Sequence, residues 1–73
     1  MMPLTLASIG ESLIIQRVGG NTDTRRFLEN LGFLSGTKIT VLSSNRGNVI
    51  VHIRESRVAI NEDMARNIMI MPG

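Results

Sequence analysis

The chain has no cysteine, tryptophan or tyrosine, one histidine and two prolines among its 73 residues. Without cysteine, neither a disulfide nor a thiolate zinc cluster can staple it. A core at this length rarely supplies more than ~3–5 kcal/mol, so dense apolar packing, or a partner, must hold the fold. The only aromatics are Phe27 and Phe33. Eight basic residues (Arg17, Arg25, Arg26, Lys38, Arg46, Arg54, Arg57, Arg66) are scattered among six acidic ones, for a net charge of +2. A nucleic-acid surface calls for a basic stripe with stacking aromatics, and this chain has neither. No apolar run approaches the ~20 residues that span a bilayer. The opening "MMPLTLASIGESLII" has no basic n-region and is interrupted by Glu11, unlike a signal peptide. The expectation is one soluble, intracellular domain over residues 1–73.

What the chain does have is short segments of changing period. "PLTLASI" reads as a first strand or an extended arm packed on the body. "SLIIQRV", opened by Gly10 and closed by Gly19-Gly20, reads as a strand with apolar residues on both faces. "NTDTRRFLENLG" is the helix. Asn21 or Thr22 can cap it and Asp23 suits its positive end. Phe27, Leu28 and Leu31 make its apolar stripe, and Arg25, Arg26, Glu29 and Asn30 face water. Alternation returns with Ile39 and Val41, and again with Val49, Val51 and Ile53, across a turn built on Gly47. A tight turn at "ES" leads into "RVAI"; Asn61 caps one helical turn with Met64 and Ala65 inward; "NIMIM" is a last strand ended by Pro72. Five or six short curled strands with one short helix predict a mainly β fold, a small SH3-like barrel.

"GFLSGTK" invites comparison with a phosphate-binding loop, but its glycines are one residue too close and Thr37 precedes Lys38. A P-loop also follows a strand and opens a helix, and this segment does the reverse. A helix-dimer reading needs an apolar helix through both glycines, whereas strand periodicity begins after Gly36. The remaining reading is structural: Gly32 ends the helix with positive φ and Gly36 starts the turn into a strand. His52 has no second strong ligand at a recognisable spacing, so no metal site or cofactor is expected. With no Cys and no Ser-His-carboxylate pattern, a nucleophile has no base, so the chain is not read as an enzyme. Arg25, Arg26 and Glu29 should project from a helix whose other face is buried, which makes them the candidate partner-binding residues.

Gly10-Glu11, then Leu28, Leu31, Gly32, Phe33 and Gly36, then Val58-Ala59-Ile60, then Ala65, Ile68 and Ile70 fall in the order and spacing of a known pattern. Together they resemble the ferrous iron transport protein A (FeoA) family of small SH3-like barrels, over nearly the whole chain. The chain departs from that family at Ser35, where proline is common, at Asn61, where a basic residue is common, and at Asn48-Val49 in the hairpin. The resemblance implies a cytoplasmic accessory of ferrous iron uptake, partnered with the ferrous iron transporter FeoB, a membrane protein with a cytosolic G-protein domain. Two alternatives have the same shape: the SH3-like metal-responsive domain of iron-dependent repressors and an SH3-like nucleic-acid module.

Overall fold

The computed structural model describes residues 1–73. Its strands are β1 (Met2–Pro3), β2 (Ser12–Val18), β3 (Lys38–Asn45), β4 (Asn48–Ile53), β5 (Ser56–Ile60) and β6 (Ile68–Pro72). Helix α1 (Thr22–Asn30) joins β2 to β3, and α2 (Glu62–Ala65) joins β5 to β6. All pairings are antiparallel, in the order β1-β6-β2-β3-β4-β5. Register shifts interrupt β2 between Ile15 and Arg17, and β3 between Val41 and Ser43. Bulges of this kind bend a strand and increase its twist. The sheet therefore curls about its core, and the molecule measures 29 × 25 × 24 Å.

The curl brings one face of every long strand inward. Leu13 and Ile15, Ile39 and Val41, Val49, Val51 and Ile53, Ile60, and Ile68 and Ile70 fill the centre with Leu4, Leu28, Phe33 and Ala65. No polar or charged side chain is buried, so the interior carries no desolvated group in need of a partner. Period-two alternation in the sequence is the direct cause, since each inward apolar residue is followed by an outward one.

The turns obey backbone sterics. Arg46 and Gly47 both have positive φ (55° and 85°) between Asn45 and Asn48, the pattern of the primed hairpin turn whose twist matches its strands. Gly47 is further constrained because a Cβ there would collide with the Glu62 side chain. The β4–β5 turn is Arg54–Glu55 rather than Glu55–Ser56, because Ser56 pairs with Ile53. At the amino terminus only Met2 and Pro3 pair as a strand. A 3-10 turn over Leu4–Leu6 follows, with Leu4 buried and Leu6 exposed. A proline cannot donate to a ladder, and one buried leucine is enough to anchor the arm.

Candidate functional site

Helix α1 is set onto the sheet by three local devices. Asn21 accepts the Thr24 N–H through its side-chain oxygen at 2.8 Å, satisfying one orphan donor of the first turn. Leu28 is fully buried and Leu31 packs against the core; burying one leucine stabilises by about 1.5–3 kcal/mol. At the other end Phe33 N–H donates to Leu28 O (3.0 Å) and Gly32 N–H to Glu29 O (3.0 Å), with Gly32 at φ 108°. That bond pair and the left-handed glycine constitute a Schellman cap. Its usual apolar contact is supplied by Leu28 and Phe33, both wholly buried.

The "GFLSGT" segment is therefore a helix stop followed at once by a turn. Thr37 N–H donates to Leu34 O (3.0 Å), and Gly36 has φ 90°, the third-position requirement of a type II turn. Gly36 N–H also donates to Ile15 O, and Ile15 N–H to Thr37 O. Ser35 Oγ donates to Gln16 O at 2.9 Å. These bonds take up the Gly36 and Thr37 N–H groups and the Ser35 hydroxyl, donors that a phosphate-cradling loop would need.

The outer face of α1 carries Arg25, Arg26 and Glu29, all exposed. None is in an ion pair; the two ion pairs in the protein join Arg66 of the α2 C-cap to Glu62 and Asp63. Arg25 and Glu29 stand four apart, but with the arginine first, the weaker orientation for a helix pair. Phe27 is not buried as its place in the apolar stripe predicts: it is 48 % exposed. The core aromatic is Phe33 instead, because the residue after a Schellman glycine turns back onto the helix. The signal for this exchange was the Leu-Gly-Phe run itself. The helix therefore offers two free guanidinium groups, the free carboxylates of Glu29 and, in its first turn, Asp23, and an accessible phenyl ring.

His52 is exposed on β4, opposite Thr40 on β3 and Arg57 on β5. No three His, Cys, Asp or Glu side chains converge anywhere in the structure. No helix is long and apolar enough to cross a membrane.

The FeoA domain profile matches residues 2–72. A protein of Methanocaldococcus jannaschii, provisionally named Fe(2+) transport protein A, is 30% identical over 70 residues, covering 96% of this chain and 85% of that protein. The crystal structure of Stenotrophomonas maltophilia FeoA complexed with zinc, described as a prokaryotic SH3 domain protein, superposes with a TM-score of 0.84. It is 19% identical, covering 97% of this chain and 91% of that one. A manganese-dependent transcriptional repressor in complex with manganese gives a TM-score of 0.90 at 17% identity, covering 97% of this chain but 36% of the repressor. At those identities the two structures establish a shared SH3-like fold.

Proposed function

The chain belongs to the FeoA family, whose members are associated with ferrous iron transport, and on that premise we propose that it is a non-enzymatic accessory of ferrous iron uptake. It acts in the cytoplasm by direct contact with the ferrous iron transporter FeoB. The observation that supports this reading is the outer face of α1. Arg25, Arg26 and Glu29 stand exposed without ion-pair partners beside a half-exposed Phe27. Arginine and aromatic side chains are the types that most often dominate binding energy at protein interfaces. Arginine also offers a planar fork that grips carboxylates bidentately.

The test is titration of the transporter's soluble domain with wild type and with the double variant Arg25→Glu/Arg26→Glu. The variant should keep its circular dichroism spectrum and lose about tenfold or more in affinity. Unchanged affinity in the folded variant would remove α1 from the interface. The repressor-type reading rests on fold likeness to about a third of a longer protein, and fold does not carry function.

A further inference from the structure

Strand β5 is an outer edge of the sheet, paired to β4 and to nothing on its other side. Its closing pair with β4, Ile53–Ser56, follows a two-residue turn and so exchanges both main-chain bonds. Alternation then directs Ser56, Val58 and Ile60 toward β4, and the N–H and C=O groups of Arg57 and Ala59 toward the free edge. Neither residue appears in any hydrogen bond outside the ladders, main-chain or side-chain. Two donors and two acceptors are thus presented in register along a strand that has no proline, glycine or bulge to blunt it.

The outer face beside this edge has a chemistry of its own. Arg57 and Arg54 are exposed and unpaired. Two residues along β5 from Arg57, the small Ala59 lines a shallow groove of about 480 Å³ together with the apolar Ile50, Val49 and Ile60 and the polar Asn48 and Asn61. We infer that β5 accepts an extended segment of a partner protein as a seventh strand, with an acidic side chain opposite Arg57 and an apolar side chain two positions away over Ala59 and Ile50. Main-chain bonds supply affinity in such strand addition, and alternate side chains supply selectivity. A second copy does not supply that match: two-fold pairing about Val58 sets Arg57 opposite an alanine and leaves the two arginines diagonal on one face, with no carboxylate between them.

The probe is an acetylated, amidated pentapeptide Thr-Leu-Thr-Glu-Thr, which in antiparallel register sets Glu opposite Arg57 and Leu opposite Ala59, compared with its Thr-Leu-Thr-Lys-Thr counterpart and titrated into the labelled protein. In the free protein the Arg57 and Ala59 amides should exchange freely with solvent. The acidic peptide should shift both and slow their exchange by about tenfold, while the lysine peptide binds about tenfold more weakly. Ala59→Pro removes one free-edge donor without touching the β4 ladder and should abolish the protection. Arg57→Glu, which keeps the backbone intact, should reverse the preference between peptides. Equal binding of both peptides, no change in Arg57→Glu, or amides already protected in the free protein would each overturn the inference. Sedimentation showing a dimer that Ala59→Pro dissociates would overturn it in favour of self-pairing.

Discussion

The sheet has two outer strands, and they are built in opposite ways. β1 is two residues long and ends in Pro3, so its outer side offers almost no main-chain donor. Behind it, Leu4 is fully buried in the core. β5 is five residues long, contains neither proline nor glycine, and leaves the polar main-chain groups of two residues unused. Edge strands are usually blunted because an open edge templates unwanted pairing. A protein that blunts one edge and keeps the other open has an asymmetry that folding alone does not require.

The contrast can be broken most forcefully within β5 itself. Val58→Pro removes an N–H that bonds to β4, leaves a carbonyl there unpaired, and should destabilise by about 2–3 kcal/mol. Ala59→Pro removes one that faces solvent and should cost under about 1 kcal/mol. Denaturant midpoints of the two variants read the difference, and equal losses would mean that both sides of β5 are engaged. A corner outside both edge strands should fall between them. Gly32→Val forces a β-branched residue into positive φ and should destabilise by about 1–2 kcal/mol; an unchanged midpoint would show that the Schellman cap is dispensable. The smallest effect on stability should come from Pro3→Val, within about 0.5 kcal/mol. That variant restores a donor to the blunted edge, so sedimentation should show more self-association than wild type. If it stays as monodisperse as wild type, the brevity of β1 rather than its proline protects that side.

Much of this architecture was legible in the sequence, because alternation of apolar residues is a local signal with one physical meaning. Ile39 and Val41, and Val49, Val51 and Ile53, had to face one way, and they do. The helix cap and its glycine stop were equally local, and Asn21 and Gly32 take those places. The exposure of Phe27 was not legible from its helical period alone, since a nine-residue helix on a curled sheet buries only a narrow stripe. Nor was the short β1, where tertiary pairing with β6 decides the strand's length. The candidate surface was legible only as residues. Arg25, Arg26 and Glu29 were visible as a polar helix face, but their lack of ion-pair partners emerges from side-chain geometry. The free edge of β5 depends on strand order, which no single segment encodes.

The side chain of Asn48 in the β3–β4 hairpin accepts the Glu62 N–H at 2.9 Å, and that of Asn61 accepts the Met64 N–H at the same distance. A four-residue helix has no independent existence in water, because its nucleation is unfavourable and too few bonds follow to offset it. One of the bonds that starts α2 belongs to a residue fourteen positions earlier, at the base of a hairpin turn. The clock of local opening is therefore shared. When the hairpin frays, α2 loses a cap, and when α2 unwinds, Glu62 withdraws from the turn glycine it packs on. Amide exchange at residues 48, 62 and 64 should follow a single opening event, although the sequence places them in two separate elements.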